Sequence, residues 1–240
     1  MTNLLLSRAR LRRDVPAAAL WHELAPDDND RRMQASHRLV WTLFADAADR
    51  TRDFLWREAD PGTFFLLSNR APEDRHNLFE IDPPKEFAPQ LRAGDALRFS
   101  LRANATVARK PQSATGQRTR GKPSDVVMDA LYRLPKGRER AEARRDAISA
   151  AGHAWLSARG AKNGFRLLEV DAQSGASVSC VTGYRVMRLD DRNERMHIGI
   201  LDYDGVLVVE DPSRFTDAIA QGFGRAKAFG CGLMLVRRAW

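Results

Sequence analysis

Hydrophobic and polar residues along this chain alternate with two different periods, and each change of period marks a new element. "NLLLSRARL" near the N-terminus is apolar and then alternates, which predicts a strand. The spacing then lengthens. "RRMQASHRLVWTLFADA" puts Val40, Leu43, Phe44 and Ala47 on one face of a helix, with Asp30 as its N-cap. "RDFLWRE" and "TFFLLSN" flank Asp60-Pro61-Gly62 and predict a hairpin. A polar connector and a short strand, "NLFEI", complete the first half. "DPPKEFAPQLRAGD" carries three prolines and Gly94 without any period, so it reads as a boundary.

The second half opens with the alternating "ALRFSLRAN". "ARKPQSATGQRTRGKPS" has breakers and no acidic residue and predicts a mobile loop. One long helix is expected over "RERAEARRDAISAAGHAWLSARG", then a strand at "FRLLEV" and a hairpin within "VTGYRVMRLDDRNERMHIGIL". A turn at Asp204-Gly205 should separate that hairpin from "GVLVVED". A helix from Pro212, a glycine-rich loop and a last strand, "LMLVRR", end the chain. Both halves read in β-α-β-β-α-β order. The fold expected is α+β, two tandem ferredoxin-like (RRM-like) domains, over residues 1–92 and 95–240.

Charge sharpens this picture. The net charge of the 240 residues is +8, and between Arg102 and Arg145 twelve Lys and Arg face four Asp and Glu. The whole excess lies in that block, which favours a polyanionic partner, nucleic acid foremost. Arg109, Lys110, Arg118, Arg120 and Lys122 could follow the backbone of such a partner, and Arg138 to Arg145 could equally meet a protein. No apolar run approaches a membrane span, and the first leucines are too few for a signal core. Cys180 and Cys231 lack metal spacing, so a reducing cytoplasm is the expected location.

The string "GFGRAKAFGCGL" suggests phosphate binding, but a helix precedes it and a strand follows. That order is the reverse of a nucleotide loop. A helix C-cap with a tight turn explains Gly222 and Gly224. Gly230 and Gly232, with Arg225 and Lys227 between the glycines, suit a polyanionic chain lying across bare amides.

"FSLRAN" before a basic loop, "HRLVWTLF" on the first helix and "GFGRAKAFGCGLMLVRR" together resemble the CasE-type CRISPR-associated endoribonucleases, in order and spacing over nearly the whole chain. The resemblance implies a Cascade subunit that cuts precursor CRISPR RNA at the base of each repeat hairpin. It implies no metal or other cofactor, continued hold on the product, and contacts with other Cascade subunits. The family histidine falls on His37. Its frequent tyrosine three residues earlier is here Gln34. By the same likeness the hairpin carrying Arg185 and Arg188, with Arg192 and Arg195 at its tip, approaches the cleavage point.

Metal-free RNA cleavage uses the 2′-hydroxyl as nucleophile, and a histidine near neutral pH can remove its proton and return one to the leaving oxygen. His37 is expected in the first turns of its helix, where the dipole disfavours imidazolium. His22, His76, His153 and His197 form no metal spacing, and Asp27, Asp28 and Asp30 lack the rest of a calcium loop. Two other readings stand beside this one: a non-catalytic RNA-hairpin-binding subunit, and a basic scaffold protein.

Overall fold

The computed structural model describes residues 4–14, 20–46, 49–109, 122–168, 180–191 and 194–239. Two antiparallel sheets organise it. The first is built from β1 (Leu5–Leu11), β2 (Phe54–Asp60), β3 (Thr63–Ser68), β4 (Phe79–Ile81) and the two-residue β5 (Lys85–Glu86). Its order is β2-β3-β1-β4, with β5 also on β1. The second contains β6 (Ala96–Ala103), β9 (Phe165–Leu167), β10 (Val181–Asp191), β11 (Glu194–Val209) and β12 (Met234–Arg238), in the order β10-β11-β6-β12 with β9 on β11. Each half thus places its first and third main strands at the centre, as the ferredoxin-like arrangement requires. In the first half the second helix position is filled by 69–78, which is not helical.

Helices cover the sheets. After the short α1 (Trp21–Leu24), α2 (Asn29–Thr42) buries Leu39 and Val40 against Phe54, Trp56 and Phe64 of the first sheet. Its N-cap is Asp28, not Asp30: extended Asp28 accepts from the Arg31 amide at 2.8 Å, while Asp30 is already in the first turn. In the second half, α3 (Val126–Tyr132), the short α4 (Arg138–Glu142), α5 (Arg144–Lys162) and α6 (Pro212–Gln221) follow, and α3, α5 and α6 share one core with β6, β9 and β11. The expected long helix is divided at Ala143, and α3 went unread. α6 follows the sequence closely, from the Asp211 cap and Pro212 to Gly222.

One local expectation fails for a packing reason. Asp204-Gly205 is not a turn. β11 runs through it, pairing Asp204 with Ser100 and Gly205 with Phe99. A Cβ at Gly205 would lie 3.1 Å from the Phe99 ring, so this glycine answers to close packing. The basic tract is rooted in a two-stranded ribbon, β7 (Thr106–Arg109) with β8 (Lys122–Asp125).

The sheets are also joined to each other. Leu55 and Leu67 of the first sheet belong to the same apolar cluster as Leu97, Phe99 and Phe223 of the second half. The linking segment is tied at both ends, by Phe87 to Leu4 and by Gly94 to Val209.

Candidate active site

The site forms where α2 of the first half meets the C-terminal loop of the second. His37 lies in the third turn of α2, eight residues past Asn29 and out of reach of the dipole expected to act on it. Its half-buried ring is set by the loop instead. Nδ1 lies 2.7 Å from the Ala228 carbonyl oxygen, and Trp56 Nε1 donates to the same oxygen at 3.2 Å. A carbonyl oxygen only accepts, so Nδ1 carries the proton and the neutral ring keeps its lone pair on Nε2. The ring centroid is 5.4 Å from that of Phe229 and 6.4 Å from that of Trp41. Burial lowers the His37 pKa below the ordinary value, against the Ala228 bond, and the fields of Arg38 and Arg52 lower it further.

The loop owes its shape to its glycines. Gly222, Gly224, Gly230 and Gly232 all have positive φ, and the single 3₁₀ turn Lys227–Phe229 sits between left-handed Ala226 and Gly230. At Gly222 a Cβ would strike Leu55 at 2.8 Å, at Gly224 the Asn104 carbonyl at 2.6 Å, and at Gly230 the Trp56 ring at 2.9 Å. All four glycines are therefore explained by the fold, and their number does not by itself argue for a ligand. Lys227 serves the loop as well: its ammonium donates to the Gln221 carbonyl at 2.6 Å, across the end of α6. Arg225 is exposed beside its bridge to Asn104.

The two hairpin arginines part company. Arg185 pairs with Ile200 and Met187 with Ile198. Met187, Ile198 and Ile200 pack with Met33 of α2, one turn before His37. Arg185 therefore shares the sheet face that looks towards α2, and it lines a small cavity with Met33 and Arg102. Arg188 is exposed on the opposite face, and its amide donates to Asp30 Oδ2 at 3.2 Å. Arg109 and Lys122 are backbone partners at the root of the ribbon. Lys110, Arg118, Arg120 and Arg192 lie outside the described residues.

Sequence reading missed the Ala228 carbonyl, because a backbone acceptor has no residue type. It also missed Arg52, whose field reaches both His37 and Lys227. Among the described residues no group of three or more His, Cys, Asp or Glu side chains could hold a metal ion. Nor is any described helix long and apolar enough to cross a membrane.

Comparison with known proteins gives a consistent answer. The CRISPR-associated endoribonuclease Cse3 of Thermus thermophilus is 32% identical over 161 residues, 65% of this chain and 63% of that protein. The CRISPR system Cascade subunit CasE of Escherichia coli is 27% identical over 203 residues, covering 82% of this chain and 88% of its own. A structure of the CRISPR endoribonuclease Cse3 bound to 19 nt RNA superimposes with a TM-score of 0.64 at 26% identity, covering 98% of this chain and 99% of that one. The family described as CRISPR associated protein matches residues 4–238. With the two-sheet architecture and the histidine-bearing helix already in place, this chain belongs to that CRISPR-associated family, as a CasE-type member.

Proposed function

We propose that this protein is the endoribonuclease that cuts precursor CRISPR RNA at the base of the repeat hairpin and keeps the hairpin within a Cascade complex. The observation that carries the reading is the fixed tautomer of His37. With Nδ1–H held by Ala228, Nε2 is free to take the proton of a ribose 2′-hydroxyl. The resulting oxyanion attacks the adjacent phosphorus, a phosphorane forms, and the bond to the 5′-oxygen breaks. The imidazolium returns its proton to that oxygen, leaving a 2′,3′-cyclic phosphate and a 5′-hydroxyl. No bound metal is needed in this cycle, since base, acid and cations all come from the chain.

Developing negative charge on the phosphorane favours nearby cations. Arg52 acts on His37 directly, and Arg185 lies on the sheet face towards α2. Arg188 contributes to the flank of the hairpin rather than to the reacting group. Residues 1–92 supply the base, and residues 95–240 grip the RNA through the Arg109–Lys122 ribbon with Lys110, Arg118 and Arg120, through Arg192, and through the loop bearing Arg225. The similarity of the fold to an RNA-bound Cse3 structure supports the substrate class.

The test is hairpin RNA with a single 2′-deoxy nucleotide before the scissile phosphate, with and without chelator. Cleavage should stop with the deoxy substrate and be indifferent to EDTA. Cutting of the deoxy RNA would rule out the nucleophile.

A further inference from the structure

Between the two sheets, behind the catalytic helix, Arg57 and Arg185 lie within the electrostatic reach of one ion pair, Arg102 with Asp202. Arg102 of β6 stands opposite Asp202 of β11 and donates to its Oδ1 at 2.7 Å. Arg185 enters from β10 on the same sheet face. Arg57 comes from the first sheet, two residues past Leu55, which packs in the second-half core. Among the described residues neither Arg57 nor Arg185 makes an ion pair or a side-chain hydrogen bond, and Arg57 Nη1 is buried without a partner. Burial lowers the proton affinity of both, and Arg102 lowers it further while Asp202 opposes.

Three of the neighbouring acids, Glu58, Asp30 and Asp204, already accept other hydrogen bonds. Glu58 accepts from the Gly62 amide at 3.0 Å and sits 3.8 Å from Arg32. Asp30 accepts from the Arg188 amide, and Asp204 accepts from Thr182 Oγ1 at 3.4 Å. A cavity of about 90 Å³ opens beside Arg102 and Arg185, lined also by Asn29, Arg32, Met33, Glu58 and Asp60. Half-buried guanidinium groups that hold no hydrogen-bonded carboxylate are costly unless an anion joins them. An unsatisfied buried donor asks for the same explanation.

We propose that Arg57, Arg102 and Arg185 form a preorganised phosphate subsite, which takes one RNA backbone phosphate near the scissile linkage. The singly charged phosphodiester offsets part of the positive charge that Asp202 leaves uncompensated, and planar guanidinium forks match its two free oxygens. Asp202 holds Arg102 in place until the RNA arrives. This rests on the endoribonuclease reading and adds to it a second anchoring point, one turn of α2 away from His37.

The full chain with Arg57→Gln, and separately Arg185→Gln, would be measured in three ways: thermal unfolding without RNA, binding of hairpin RNA over a salt series, and binding of RNAs with one neutral methylphosphonate placed at successive linkages. The expected result has opposite signs. The free protein unfolds at the same or a higher temperature, because cation repulsion is relieved. RNA affinity falls on the order of tenfold, and the slope of log K against log salt becomes shallower by about one. One methylphosphonate position should weaken the unaltered protein and cost the variant nothing more. Arg57→Lys, which keeps the charge but loses the fork, should retain the salt slope and lose affinity; it also serves if the glutamine variant does not fold. A lowered unfolding temperature with unchanged RNA binding would overturn the subsite and make the cluster a strut between the sheets. Equal methylphosphonate penalties in variant and unaltered protein at every linkage would overturn it too. Failure of the unaltered protein to bind hairpin RNA would overturn both this and the reading beneath it.

Discussion

Replacing His37 by alanine should separate chemistry from binding, and the structure sets the size of each effect. The ring donates one hydrogen bond to Ala228 and rests against Phe229 with centroids 5.4 Å apart. Losing the hydrogen bond costs about 1 kcal/mol, and losing the ring contact about 0.5–1.5 kcal/mol. No orphaned acceptor adds to this, because Trp56 Nε1 still donates to the Ala228 oxygen. The total, about 2 kcal/mol, is well inside the roughly 5–15 kcal/mol of a typical domain, so the variant should fold. Cleavage should fall about 10²–10⁴-fold, the usual worth of general acid–base catalysis. In barrier terms that is about 3–5 kcal/mol. Single-turnover cutting of end-labelled hairpin RNA at saturating protein measures the rate, and gel shift measures binding. His37→Asn tests the division further, since its amide can still donate to Ala228: it should recover stability without recovering cutting. If His37→Ala cuts within tenfold of the unaltered protein, or if binding collapses in parallel with cutting, the role given to Nε2 is wrong.

Two further predictions use the same site. The His37 pKa is lowered, so the acid limb of the cleavage-rate profile should fall below about pH 6.5, the ordinary histidine value. Arg52→Gln should move that limb upward, because one cation opposing imidazolium is gone; an unmoved limb would remove Arg52 from the site. The stability linked to this ring has the matching sign. It is fully present above the unfolded-chain value and is lost as pH falls through the folded one, since the unfolded chain takes up the proton first. For the loop, Gly230→Ala must place a side chain at φ +68 and push a Cβ to 2.9 Å from Trp56. The left-handed backbone costs about 1–2 kcal/mol, and crowding adds about 1–3 kcal/mol. Gly94→Ala, also at positive φ but with nothing within 4 Å, should cost the backbone part alone. Equal losses in chemical denaturation would show that the Trp56 contact is unimportant.

How far the sequence reveals this protein depends on the range of the interaction. The order of strands is written in local alternation, and α6 in its Asp-Pro start and glycine stop, so both could be read directly. The N-cap was misplaced by two residues because three aspartates, Asp27, Asp28 and Asp30, compete, and only backbone conformation chooses Asp28. Gly205 looked like a turn because a glycine needed for packing against Phe99 is the same letter as one needed for a bend. The lowered pKa of His37 was anticipated for a mistaken cause, helix position, when the physical origin is burial under a loop 191 residues away. Arg57, Arg102 and Arg185 carry no local signal at all. They meet only because β6 and β10 flank β11 and because β2 faces that sheet.

On the proposed mechanism, the chemistry requires both halves. His37 belongs to a helix of the first half, but the atom that fixes its tautomer belongs to a loop of the second. Trp56, from the first sheet, shares that atom and lies against Gly230, so neither half presents a finished site alone. The joint is held by Leu55, which enters the second-half core and leaves no room for a side chain at Gly222. Close packing transmits small displacements, because interiors offer few voids to absorb them. A shift of the C-terminal loop on Leu55 would therefore move Ala228, lengthen its bond to Nδ1 and release the ring to either tautomer. On the proposed mechanism the glycines would contribute to catalysis through position: they let the loop approach Trp56 and Leu55 closely enough for one carbonyl oxygen to choose which nitrogen of His37 keeps its lone pair.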